Sequence, residues 1–257
     1  MNSVIETILN HRSIRKYEDK PLSEEQIQTI VESAQAASTS SYIQAYSIIG
    51  VKDKETKRKL AQLAGNQPYV ETNGHFFVFC ADFHRHDVIA EMEKKDLSTA
   101  LESTEQFMVA IIDVALAAQN ATLAAESMGL GACYIGGLRN ELEEVSKLLK
   151  LPHHVIPLFG LTVGHPAGIT DKKPRLPFKH VYHEETYEPN DEQTKKELTA
   201  YNEEISAYYN ERTNGKRQDT WTGQMAEMLS NPKRMYMKEF VEKQGFNKKK
   251  GHHHHHH

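Results

Sequence analysis

Apolar positions along the chain recur at two spacings, and the change from one to the other marks the elements. Val4, Ile5, Ile8 and Leu9 repeat at helical intervals, which predicts a first helix ending near His11. The run Pro21-Leu22-Ser23-Glu24-Glu25-Gln26 reads as a helix start, with Ser23 as N-cap and Gln26 three residues on, the spacing of a capping box. Ile27, Ile30, Val31 and Ala34 form the inward stripe of that second helix, and the small residues from Ala36 to Ser41 end it. Residues 54–64 predict another helix with Leu60 and Leu63 inward, and 141–149 one more. Residues 108–128 predict a long Ala-rich helix whose apolar positions run nearly all the way round, so burial on most sides is expected. Short runs rich in aromatic and β-branched residues at 47–51, 76–81, 132–135 and 157–164 predict four strands.

These elements alternate irregularly, with no strict βαβ repeat. The expected fold is α+β: a mixed, largely antiparallel central sheet sandwiched by helices, with a helical C-terminal arm. The arm follows from a shift in composition. Residues 183–250 are polar and charged, with only thin apolar stripes such as Leu198, Tyr201, Ile205 and Tyr208. Helices of that kind need another surface to lie on, either the core at 1–182 or a second subunit. Residues 251–257, a glycine and six histidines, read as a purification tag.

Charge and rare residues narrow the chemistry. A formal net charge of -4 gives no general attraction for nucleic acid. Cys80 and Cys133 sit in apolar runs and read as buried free thiols of a reducing compartment. Neither His84/His86 nor His153/His154 has the helical spacing that puts two imidazoles on one metal, so no metal site is expected. Glu6, Arg12 and Arg15 near the start argue against a signal peptide, and Asp113, Gln119, Asn120 and Glu126 within the longest apolar stretch argue against a membrane span. A cytoplasmic protein is expected.

Cations gather instead in local patches. His11-Arg12-Ser13-Ile14-Arg15-Lys16-Tyr17 places paired guanidinium donors and a hydroxyl where a helix gives way to extended chain, which suits a phosphate-bearing ligand. Alone, the patch reads equally as a solvated basic helix end. Ser38-Thr39-Ser40-Ser41 reads as a polar loop, Gly65-Asn66-Gln67-Pro68-Tyr69 as a turn, and Gly136-Gly137 as a turn after a strand that also allows close approach of backbone to a flat ring. Lys173-Pro174-Arg175-Leu176-Pro177 is a basic segment stiffened by two prolines, and 208–221 carries three cations around Asn214-Gly215, a loop expected to be mobile.

Taken in this order over nearly the whole chain, HRSIR, YIGGLRN, KPRLP and NGKRQDTW resemble the nitroreductase/flavin reductase family, and within it the NADPH-dependent, oxygen-insensitive subgroup. The resemblance implies FMN as cofactor and NADPH, or NADH, as electron donor. It implies that His11, Arg12 and Ser13 hold the flavin phosphate and that Arg15 approaches the ring's pyrimidine side, where NADPH also lands. Thr39, Ser40 and Ser41 would lie against the ribityl chain and ring, and Gln67 at the polar edge. Tyr134, Ile135, Gly136 and Gly137 would place a backbone N–H at flavin N5. Lys173 would sit near N1/O2 and Arg175 at the phosphate. The resemblance also implies that Arg212, with Lys216 and Arg217 nearby, takes the 2′-phosphate of NADPH; no G-x-G-x-x-G fingerprint is present, so the nucleotide is expected to bind transiently over the flavin.

No side chain is expected as a catalytic acid, because flavin N5 carries the hydride and solvent can supply the proton. Nitroaromatics, quinones, azo compounds and free flavins are the implied acceptors, reduced by ping-pong kinetics in a homodimer with FMN between subunits. A dedicated NAD(P)H:FMN reductase, a non-catalytic flavin carrier or sensor, and a colourless phosphate-binding interaction protein are the competing readings.

Overall fold

The computed structural model describes residues 1–248; the tag at 251–257 and the end of the arm at 249–250 lie outside the described residues. The chain forms two compact units, one of Met1–Thr170 with the chain from Tyr236 onward, the other Asp171–Met235.

In the first unit the elements are α1 (Ser3–Leu9), α2 (Glu24–Gln35), β1 (Tyr46–Val51), α3 (Lys54–Leu63), α4 (Pro68–Glu71), β2 (His75–Asp82), α5 (His84–Glu93), α6 (Ser98–Leu101), α7 (Thr104–Ser127), β3 (Gly131–Ile135), α8 (Leu142–Leu148) and β4 (Val155–Gly164). The second unit holds α9 (Phe178–Val181), α10 (Asp191–Arg212) and α11 (Trp221–Ser230), and α12 (Met237–Lys243) returns to the first.

The strands form one sheet in the order β1-β2-β4-β3, and every pairing is antiparallel. β2 is buried at all eight positions, so its side chains feed two cores on opposite faces. Phe77, Phe79, Ala81, Ala132, Leu161 and Val163 face α2 and α7. Phe76, Val78, Cys80, Cys133 and Ile135 face α3, α4 and α8. Gly160 makes the second core fit: a Cβ there would stand 2.3 Å from the Phe76 ring, so the ring covers bare backbone of the adjoining strand.

Sequence and structure agree on the start of α2, where Ser23 and Gln26 form the full capping box. They part at α7, which starts earlier than expected because the Ser103 side chain caps it through the Gln106 N–H. Nine of its residues are buried, among them Ala117, Ala118 and Ala121, and this helix, long and apolar enough to cross a membrane, is here a core helix. It is not buried on most sides, however. Met108, Ile111, Ile112 and Leu116 stay exposed, as do Val4, Ile5, Ile8 and Leu9 of α1. A sequence pattern gives the apolar circumference of a helix but not which part of it another surface in the same chain covers.

In the second unit Tyr201, Ile205 and Tyr209 of α10 form a small core, with Leu176, Tyr208 and Trp221 packed on it.

Candidate functional site

The segment after α1 runs beside β3, held there by the Ile14 N–H donating to the Ala132 carbonyl at 3.0 Å. Gly131 permits the approach, since a Cβ there would lie 2.7 Å from Ile14. Extended backbone sends alternate side chains to opposite sides. On one side, Ser13 and Arg15 lie against the Cys133 thiol, and the Tyr17 hydroxyl bonds Thr162 Oγ1 at 2.8 Å. Arg15 is exposed. Burial pushes the Cys133 thiol up, against the pull of the Arg15 charge, so it is a packed thiol rather than a thiolate.

On the other side, Arg12 donates to the Thr170 carbonyl at 2.9 Å and to Asn10 Oδ1 at 2.7 Å. His11 Nδ1 meets Glu126 Oε2 at 2.6 Å. Of the three residues expected on the phosphate, Ser13 thus lies with Arg15 against Cys133, while His11 and Arg12 are engaged by other protein groups.

Gln67 stands at the N-terminus of α4. Its amide donates to the Ala64 carbonyl at 2.7 Å and accepts from the Tyr69 hydroxyl. Gly137 lies directly against it, so close that a Cβ would fall 2.7 Å from Gln67 Nε2 and 2.6 Å from the Ala64 oxygen. Gly136 opens the 3-10 turn Gly136–Glu141 after β3. Tyr69 in turn acts electrostatically on Tyr17. Ser13 and Arg15 thus meet β3 at Cys133, and Gln67 meets the chain at Gly137, just past the end of the same strand. Tyr134 points its ring the other way, its hydroxyl accepting from Thr122 Oγ1 of α7 at 2.7 Å.

Thr39, Ser40 and Ser41 lie far from the β3 edge. Asp113, fully buried in α7, accepts from the backbone N–H of Ser40 at 2.8 Å and of Ala45 at 3.1 Å. The loop between them is strained: Ser41, Tyr42 and Gln44 all have left-handed φ, at 50°, 61° and 57°. It enters β1 at Tyr46, level with Ala81 of β2, which pairs with Ile156 near the start of β4; Ala132 pairs with Val163 near its end. Ile135, next to Gly136, pairs with Gly160, four residues along β4 from Ile156, so the two patches stand at opposite edges of the sheet, roughly 14 Å apart across three strand spacings and about 13 Å along the strands.

In the second unit Lys173 and Arg175 are exposed, and the Tyr201 hydroxyl donates to the Pro174 carbonyl at 2.6 Å. Within the 213–219 loop several hydrogen bonds and an ion pair form. Gly215 N–H donates to the Asn210 carbonyl and Arg217 N–H to Thr213 Oγ1, both at 2.8 Å, while Arg217 pairs with Asp219. Arg212 donates to the Tyr208 hydroxyl at 3.0 Å, and Lys216 is exposed.

The nitroreductase family model matches residues 8–165, and the model of the family's C-terminal domain matches 173–249. The chain belongs to the nitroreductase family. It is 60% identical over 248 residues to the FMN reductase (NADPH) of Bacillus subtilis strain 168, covering 96% of this chain and all of that protein. The NfrA1 nitroreductase structure from B. subtilis superposes with a TM-score of 0.94 at 59% identity, over 95% of this chain and 99% of that one. The Vibrio harveyi NADPH:FMN oxidoreductase, solved in complex with NAD+, gives 0.86 at 40% identity, over 96% and 100%.

The residues present fit a flavin nucleotide of the kind this family uses. At the β3 edge an exposed guanidinium and a hydroxyl lie against Cys133, and the Gln67 amide lies against Gly137 just past the end of the strand. At the other edge Thr39 Oγ1 is enclosed with no hydrogen-bond partner, a polar atom that a ligand hydroxyl would satisfy. Two residues that build these patches escaped sequence reasoning. Asp113 counted there only as a polar break in an apolar helix, and Tyr209 as an unremarked neighbour of Tyr208. A carboxylate in the middle of an otherwise apolar, Ala-rich stretch was the available signal for the first.

Proposed function

We propose that this chain is an FMN-dependent NADPH oxidoreductase that reduces nitroaromatics, quinones, azo compounds or free flavin, working as a cytoplasmic homodimer. What supports the reading is the β3 edge, where Ser13 and Arg15 meet Cys133 and Gln67 meets Gly137, although the sequence scatters them over 125 residues. The FMN reductase and oxidoreductase names of the relatives point to the same activity.

FMN bound there would supply hydride acceptance at its ring nitrogen and onward transfer to the acceptor. The chain's own residues bind and orient. Arg15 lends an exposed cation to an anionic ring edge or to the incoming nucleotide, and Lys173 and Arg175 add further positive charge. Ser13, with Arg12 and His11 once released from Thr170 and Glu126, serves the phosphate. Tyr134, Ile135, Gly136 and Gly137 offer backbone N–H groups and no bulk. The region offers a guanidinium, hydroxyls, an amide and a packed thiol, so solvent delivers the proton. Arg212, Lys216 and Arg217 take the 2′-phosphate of NADPH.

Thr39, Ser40 and Ser41 belong to the opposite edge of the sheet from Arg15, and their flavin contact is assigned to a second copy of the chain. The exposed apolar positions of α7 and α1 supply a surface for it.

A dedicated NADPH:FMN reductase is the second reading, favoured by the name of the 60% identical relative. The visible spectrum of the purified protein, taken before and after NADPH, tests the class. A flavin band that bleaches on NADPH and returns with an acceptor is expected. A yellow protein that leaves NADPH unconsumed would be a carrier or sensor, and a colourless protein that takes up no FMN would overturn the reading.

A further inference from the structure

Tyr209 is the most deeply engaged residue of the second unit. Its ring, 5% exposed, carries two cations: the Arg217 guanidinium carbon 4.2 Å from the centroid and Lys173 Nζ at 5.6 Å. The two arrive from opposite sides of α10 in sequence, Lys173 on the segment before it and Arg217 on the loop after it. The segment is fixed by the bond from Tyr201 to Pro174 and by Leu176 on the α10 core. The loop is fixed by Tyr209 itself, whose carbonyl accepts from Thr213 Oγ1 at 2.6 Å, while Thr213 Oγ1 accepts from the Arg217 N–H. Backbone and ring of one residue therefore hold both cationic elements. Tyr208 resembles it only in part, holding Arg212 alone, with the guanidinium carbon 5.8 Å from its ring.

We propose that Tyr209 is a positioning residue that couples the Lys173 segment to the 213–219 loop, so that an anion on the loop changes how firmly Lys173 holds its ligand. The inference rests on the reading of Lys173 as a flavin contact and Arg217 as a nucleotide-phosphate contact. Its physical content is simple. Two cations sharing one ring repel each other and draw on the same quadrupole. Arg217 already pairs with Asp219, so a phosphate acts by drawing the guanidinium off the ring, which leaves Tyr209 to Lys173 and holds Lys173 better for an anionic partner. Reciprocity requires the flavin to tighten phosphate binding by the same factor. The phenol's own state agrees: burial raises its pKa, but the Gln224 amide, Lys173 and Arg217 together outweigh burial and hold it below the ordinary value.

The test titrates the apoprotein with FMN, with and without saturating 2′,5′-ADP, which carries the 2′-phosphate but no nicotinamide to touch a flavin ring. In the unmodified protein the nucleotide is expected to lower the FMN Kd by about threefold, the size of one exposed cation–π contact. The effect should weaken in Tyr209→Phe, which keeps the ring but loses the hydroxyl that Lys173 and Arg217 also bond, and vanish in Tyr209→Leu and Arg217→Ala. An FMN Kd unchanged by 2′,5′-ADP in the unmodified protein overturns the proposal, whatever any variant does. A different failure marks the underlying reading: Lys173→Ala binding FMN as tightly as the parent, or the parent failing to bind 2′,5′-ADP, removes the site assignment itself.

Discussion

Asp113 and Ser40 lie 73 residues apart, yet the buried carboxylate accepts the Ser40 backbone N–H at 2.8 Å on one oxygen and the Ala45 N–H at 3.1 Å on the other. That pair of bonds fixes a loop in which Ser41, Tyr42 and Gln44 all take left-handed backbone. Asp113→Asn replaces one acceptor by an NH2 group that faces an N–H, and Asp113→Ala leaves both donors unpaired in the interior. A loss of about 1–3 kcal/mol per unpaired group is expected. Thermal unfolding should show it, and FMN content of the purified protein should fall with it. Unchanged FMN content in Asp113→Ala would separate this loop from the cofactor.

The open apolar stripe of α7 leads to a second expectation. Ile112 is 46% exposed in the single chain. A charge there, Ile112→Glu, should leave the fold intact but turn the dimer into a monomer in sedimentation at micromolar concentration. The same variant should lose FMN along with the dimer. A monomeric parent protein, or a monomeric variant that keeps its flavin, would contradict the shared site.

Much of this architecture was legible because local rules and tertiary structure agree. The capping box at Ser23 and Gln26 and the four strands follow from spacing alone, and the position of Gly136-Gly137 after β3 was readable from one short run. The opposition of the two edges was not legible. Nothing in Ser38-Thr39-Ser40-Ser41 reveals that strand order β1-β2-β4-β3 carries it away from Arg15, because strand order is set by long-range pairing. His11 and Arg12 illustrate a second limit. A run of donors shows what could bind an anion, but Glu126 and Thr170, remote in sequence, already engage two of them.

Arg15 and Lys173 are both exposed, and both are assigned to the flavin ring. Arg15→Ala and Lys173→Ala should each weaken FMN retention or slow reduction of the flavin by NADPH, read by stopped-flow absorbance. Wild-type rates together with wild-type flavin content would remove either residue from the site.

His75 gives an acid-side expectation. Its ring is buried against Phe77, and burial, helped by the nearby Lys57 charge, holds its pKa down at about 4. The unfolded chain takes a proton there near pH 6.5, whereas the folded one resists until about pH 4. Stability is therefore full above pH 6.5 and falls as pH drops through that window. Unfolding midpoints of the parent between pH 7.5 and 5 should decline more steeply than those of His75→Gln. Parallel declines would assign acid sensitivity to other groups.

Subunit complementation tests the shared site most directly. Arg15→Ala damages the β3 edge and Asp113→Ala the opposite loop, so each alone should bind little FMN. Mixed in equal amounts and allowed to exchange subunits, half the dimers should be hybrids with one intact site each, restoring about a quarter of the parent's FMN binding and NADPH-driven bleaching. Recovery at that level is the expected result. No recovery from a mixture shown to contain hybrid dimers would contradict a site built from opposite edges of two copies.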